Sequence, residues 1–154
     1  MKTSDIEFIF PVLGFTPDRE FWGFPNLHAL TSCGPLTLKQ DKQRDMELID
    51  ADGRRWIVRG VRKIGRARPL LPWLLRSLLS TPQFRIEQDL QPLEPVSLDE
   101  IKARCRVSLE AFPQDYCAED EREEVLEPLL RQVDAAPSVA RLYELLGLDT
   151  FQAY

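Results

Sequence analysis

Histidine is nearly absent: His28 is the only one in 154 residues. A chain with a single imidazole is poorly equipped for most metal centres and for acid–base pairs built on histidine. Cysteine is scarce too, and Cys33, Cys105 and Cys117 are odd in number, far apart and free of any C-x-x-C spacing. A disulfide framework or zinc knuckle is therefore not expected, and free thiols in a reducing cytosol fit best. Long apolar runs are missing. The longest, Pro69 to Leu75, falls far below the roughly 18 residues needed to span a bilayer. The opening Met-Lys-Thr-Ser-Asp-Ile-Glu lacks the apolar core of a secretory signal. The expectation is a cytoplasmic protein with no membrane association. Phosphate-binding loops are also wanting: Gly60-Val-Arg-Lys-Ile-Gly65 spaces two glycines around cations but lacks the Lys-Ser/Thr that such a loop requires. With no D-x-D-x-D-G frame for calcium either, no cofactor or metal is implied.

What is present describes a folded chain. Apolar residues make up 44% and charged ones 29%, whereas disorder would need fewer aliphatics and a larger net charge than −5. The length suits one domain, 1–154, sheet-rich over 1–95 and helical over 96–154.

Ile6, Phe8, Phe10 and Val12 alternate on one face, the period of a strand, with Pro11 at an edge or at the end of pairing. Gly14 to Pro35 is dense in Gly, Pro and aromatics and reads as a long ordered loop or broken strand; Leu36 to Lys39 reads as a short strand. Asp50-Ala-Asp-Gly53 supplies turn formers between two β-prone runs, so residues 46–59 form a hairpin. On its second strand strict alternation puts Trp56, Val58 and Ile64 on one face and Arg55, Ile57, Arg59, Val61 and Lys63 on the other. Pro69 to Leu79 suits a short buried helix, and Phe84 to Leu90 a further strand before a proline-punctuated link at 91–95.

Ser97-Leu-Asp-Glu100 has capping-box form, and Leu98, Ile101, Cys105, Leu109 and Phe112 make the apolar stripe of the helix it opens. A second helix spans about 118–133, kinked or split by Pro128, and a third spans Ser138 to Leu146. Strands first, with one helix interposed, then a helical third: this order specifies an α+β fold, a mainly antiparallel sheet covered on one face by helices.

Charge is sorted along the chain. Between Gly53 and Ile86 stand nine cations and no carboxylate, among them Arg55, Arg59, Arg62, Lys63 and Arg66; from Glu110 to Asp134 nine carboxylates face two arginines. The two stretches either neutralise each other within the molecule or serve external partners. Phe15, Phe21, Trp22 and Phe24 likewise either cap a sheet core or anchor a partner. A Cys33–His28 dyad is conceivable only if the aromatic loop folds back, so the chain reads as a non-enzyme.

In size, acidity and lack of a catalytic constellation the chain resembles bacterial immunity proteins, which neutralise a toxin by blocking its active site. That resemblance implies a protein partner, with Glu119, Glu123, Glu124 and Glu127 imitating phosphate charge or meeting cations, and Trp22 supplying an apolar anchor. The alternative is an anion-binding module for nucleic acid or a phosphorylated ligand, using Arg55, Arg59, Arg62, Lys63 and Arg66. Net −5 weighs against it, because duplex binders usually present a basic domain.

Overall fold

The computed structural model describes residues 1–66 and 83–146; the helix expected over Pro69 to Leu79 lies outside them. Six strands build one antiparallel sheet: β1 (Val12–Phe15), β2 (Phe21–Phe24), β3 (Ser32–Cys33), β4 (Glu47–Ile49), β5 (Arg55–Arg66) and β6 (Phe84–Leu93). Their spatial order is β2-β1-β4-β5-β6-β3. The α-helices among the described residues are α1 (Leu27–Leu30), α2 (Pro35–Lys39), α3 (Leu98–Ala111), α4 (Glu127–Ala135) and α5 (Val139–Leu146). The class is α+β, and the helical C-terminal third packs on one sheet face.

Alternation along the strands divides the core in two. Leu13, Phe15, Phe21 and Ile49 point to one face, where Ile101, Cys105 and Leu109 of α3, Val133 of α4 and Leu142 and Leu146 of α5 cover them. Val12, Trp22, Phe24, Leu48, Trp56 and Val58 point to the other, roofed by α1 and the N-terminal segment through Phe8. Each fully buried Leu, Ile or Phe contributes about 1.5–3 kcal/mol, far more than any exposed ion pair, so these two layers set the fold.

Ser97 starts α3 as expected, its Oγ accepting the Glu100 N–H at 3.2 Å. The hairpin at 50–53 also forms, with Ile49 opposite Arg55 and Gly53 at φ +82°. Pro128 falls in the first turn of α4, where its missing N–H is tolerated, and a wide π turn over Arg122–Leu126 precedes it. The expected 118–133 helix is therefore broken ahead of the proline.

Four local expectations are corrected. β1 begins only after Pro11; Ile6, Phe8 and Phe10 share the side of Val12 but pack as an irregular roof. Within the aromatic stretch, Phe21–Phe24 forms a full strand hairpinned to β1. Leu36 to Lys39 is helical, because Pro35 after Gly34 takes the first position of a helix. In β5 the ladder slips between Val58 and Gly60 and again between Lys63 and Gly65, so Val61 returns to the face of Trp56 and Val58. The continuous cation ladder that strict alternation implied does not exist.

Candidate interaction surfaces

Four of the five cations of β5 have partners close at hand. Arg55 Nη1 meets Glu47 at 3.0 Å, Arg59 Nη1 meets Asp45 at 3.3 Å and Arg62 Nη2 meets Glu87 at 2.7 Å. Lys63 Nζ lies 3.9 Å from the centre of the Phe84 ring. Arg66 ends the strand, exposed. The counterions come from β4, the turn before it and β6; the 110–134 stretch supplies none of them. Register explains this, since Glu87 stands directly opposite Arg62.

Glu87 shows the electrostatic consequence. The Arg62 hydrogen bond, then that from Ser4, holds its carboxyl below the usual carboxylate range. A carboxylate whose folded pKa is depressed contributes stability above its unfolded value, near 4.3, and loses it as pH falls through the folded one. Glu87→Gln should therefore be less stable than the parent at pH 6, with the gap closing toward pH 3. Urea midpoints at the two pH values measure it, and a gap independent of pH would remove Glu87 from the acid response.

The acidic stretch is differently placed. Glu119, Asp120 and Glu121 form a 3-10 turn, Glu123 and Glu124 lie in the π turn and Glu127 opens α4. All six are exposed, and among the described residues none has an ion pair. Asp134, at the far end, is engaged by Arg106 at 2.5 Å. Trp22 lies elsewhere: it is 7% exposed, within the second core, and its Nε1–H donates to Glu20 at 3.2 Å. Phe15, Phe21 and Phe24 are buried as well, so this aromatic group lies in the core.

His28 sits on α1 and Cys33 on β3, and no hydrogen bond joins them. Burial pushes the Cys33 thiol up to about 11 and the Cys105 thiol up to about 12. Both stay protonated at neutral pH, whereas the thiolate is the nucleophile. Among the described residues no three His, Cys, Asp or Glu side chains converge as a metal site, and no helix is long and apolar enough to cross a membrane.

Sequence reasoning missed one feature. Where the helical layer ends, the flank of α3 stands away from β4 and β5 and leaves a groove of about 510 Å³. Glu47 lies in it, bound by Arg55 from below and by Arg104 Nε of α3 at 2.5 Å. The turn between β1 and β2 closes one end, pinned to α3 by the Ser108 hydroxyl donating to the Arg19 carbonyl at 2.6 Å. Arg19, the Glu47–Arg55 hairpin pair and the Arg104–Ser108 helix pair come from three separate parts of the chain, and no local pattern announces their meeting. A scan against protein-family models, a search of curated proteins and a search of solved structures each found no match to this chain.

Proposed function

We propose that the chain is a non-enzymatic protein-binding module of the bacterial immunity type, acting in the cytoplasm on a toxin partner by steric and electrostatic occlusion. One observation carries the reading. Arg55, Arg59 and Arg62 of β5 have internal counterions, while Glu119, Asp120, Glu121, Glu123, Glu124 and Glu127 share one exposed segment with none among the described residues. A field of that sign captures a cationic surface, such as the phosphate-binding cleft of a nuclease, and raises its association rate. Occlusion needs no reacting group on this side of the contact. The anion-binding alternative has less support, since Arg55, Arg59 and Arg62 already hold carboxylates.

The test is affinity capture from native cells with the parent chain and with a Glu119→Lys/Glu123→Lys/Glu124→Lys/Glu127→Lys variant, followed by association kinetics with the captured protein. The expected partner is basic. Its association rate should fall about 10- to 1,000-fold in the variant or in high salt, with the circular dichroism spectrum unchanged. Binding indifferent to both, nucleic-acid binding abolished by Arg59→Glu, or turnover of a small molecule by the pure chain would each overturn the reading.

A further inference from the structure

β5 outruns its neighbour. β4 pairs only with Arg55, Trp56 and Ile57, and the turn ahead of β4 takes Val58, whose N–H donates to the Met46 carbonyl at 2.9 Å while its carbonyl accepts the Asp45 N–H at 2.8 Å. From there β5 runs on to Arg66 with β6 on one side and, among the described residues, no strand on the other. The pairing with β6 fixes which main-chain groups are left over. Ile86 gives its N–H to the Thr31 carbonyl and Gln88 gives its own to the Thr3 hydroxyl, both on the far side of β6. Residues directly opposite in an antiparallel ladder point their N–H and C=O groups either at each other or both away. Lys63 stands opposite Ile86, and Val61 opposite Gln88. The N–H and C=O of Val61 and Lys63 therefore point out of the open edge, where among the described residues nothing bonds them.

Charge sorts what can come alongside. Residues 59–66 carry Arg59, Arg62, Lys63 and Arg66 and no carboxylate; Asp45 reaches Arg59 and Glu87 reaches Arg62. Lys63 and Arg66 have no counterion among the described residues. Positive charge is thus in surplus along this edge, with Ile64 exposed at 44% amid it. A second copy of β5 would set like charges opposite one another, which destabilises a strand pair. Cationic side chains and bulges are the usual defences of an edge against such pairing, and β5 has both. Those defences reject a cationic strand and admit one that brings carboxylates.

We propose that the edge of β5 at Val61 to Lys63 accepts an extended, acidic segment of a partner protein as a further strand of the sheet: Val61 and Lys63 exchange main-chain hydrogen bonds with it, and Lys63 and Arg66 take its carboxylates. A donor and an acceptor together on alternate residues recognise another peptide main chain. Phosphates accept hydrogen bonds and donate none, so a DNA backbone would leave the outward carbonyls of Val61 and Lys63 unpaired. Main-chain bonding supplies the affinity, and the cations supply the choice of partner. The edge is separate from residues 119–127 and does not depend on their role.

The test follows the amides of isotopically labelled full-length chain during titration with acetyl-Thr-Glu-Val-Glu-Val-Glu-amide and with its glutamine and lysine counterparts. In the free chain the Val61 and Lys63 amides should exchange fast, and at saturation with the glutamate peptide at least about tenfold more slowly. The lysine peptide should bind at least about tenfold more weakly than the glutamate one, with the glutamine peptide between them. Lys63→Glu/Arg66→Glu should reverse the order of the glutamate and lysine peptides, an inversion that misfolding cannot produce. Val61→Pro removes only an outward N–H, which an edge position tolerates, and should lose most of the binding while the amides of β6 stay protected. Val61 and Lys63 amides already protected in the free chain, equal binding of the three peptides, unchanged affinity in Val61→Pro, or tighter binding of a thymidine oligonucleotide would each overturn the proposal; the last would return this strand to the nucleic-acid reading.

Discussion

Gly53→Ala should lower the unfolding free energy by about 2–4 kcal/mol, the largest loss expected from adding a single methyl to the hairpin. Two independent costs act at this position. Gly53 holds φ +82°, where an L side chain meets its own backbone, and a methyl there would stand 2.6 Å from the Val96 carbonyl oxygen. That oxygen belongs to main chain, so no rotamer change can relieve the contact. Val96 cannot retreat without loss, because its N–H donates to the Gly53 carbonyl at 3.1 Å and its side chain packs on the helical core. The turn thus fastens the sheet to the link that leads into α3. Gly60→Ala is the control, since nothing lies within 4 Å of the added methyl and the backbone is not left-handed. It should change stability by no more than about 0.5 kcal/mol. Chemical denaturation of both variants measures the difference, and equal stabilities would dismiss the Gly53–Val96 contact as a joint.

How far the sequence could be read depends on the range of the forces involved. Ser97 with Glu100, Asp50 to Gly53 and the stripe Ile101, Cys105, Leu109 act within a turn or two, and each appears where expected. β5 failed because its face assignment needs the register against β6, which two bulges shift. A signal was available: Gly60 and Gly65 each follow an extra residue, and an isolated glycine in a strand often marks a bulge. Leu36 to Lys39 failed for a different reason, apolar alternation outweighing the Gly34-Pro35 start of a short helix. The groove was illegible altogether. Arg19, Glu47 and Arg104 are brought together by the packing of α3 against the sheet, and nothing in their neighbours encodes that approach. The acidic segment was read directly, because exposure of a charge run follows from composition; its lack of counterions did not, since that depends on which carboxylates β5 takes first.

Asp50→Ala should lower the unfolding free energy by about 3 kcal/mol, and Asp50→Asn by about 1–2 kcal/mol. The Asp50 side chain is fully buried, yet its carboxylate is among the most used acceptors in the molecule. Oδ1 accepts the N–H groups of Asp52 and Arg54, both at 3.0 Å, and Oδ2 takes Arg54 Nε at 2.8 Å. Arg54 in turn donates to the Glu7 carbonyl at 2.7 Å, and the Ala51 N–H donates to the Ile9 carbonyl at 2.8 Å. Asp50 therefore closes the hairpin and, through Arg54, holds the N-terminal roof over the second core. Alanine orphans three backbone donors, the N–H groups of Asp52, Arg54 and Ile9, in a site that excludes water on the Asp50 side. The arginine contributes less to the cost, because its side chain is 42% exposed and water can replace the lost partner. Asparagine keeps an oxygen for the Asp52 and Arg54 N–H groups but turns an amide NH2 toward the Arg54 side chain and the Ile9 N–H, so it loses less than alanine does, which sets the order of the two variants. The same logic fixes where the damage shows. Amide exchange at Asp52 and Arg54 should accelerate in Asp50→Ala more than in Asp50→Asn, while the amides of α4 and α5 change only by the global loss of stability. Two variants of equal stability, or exchange that rises uniformly over the whole chain, would assign the carboxylate no particular part in closing the turn.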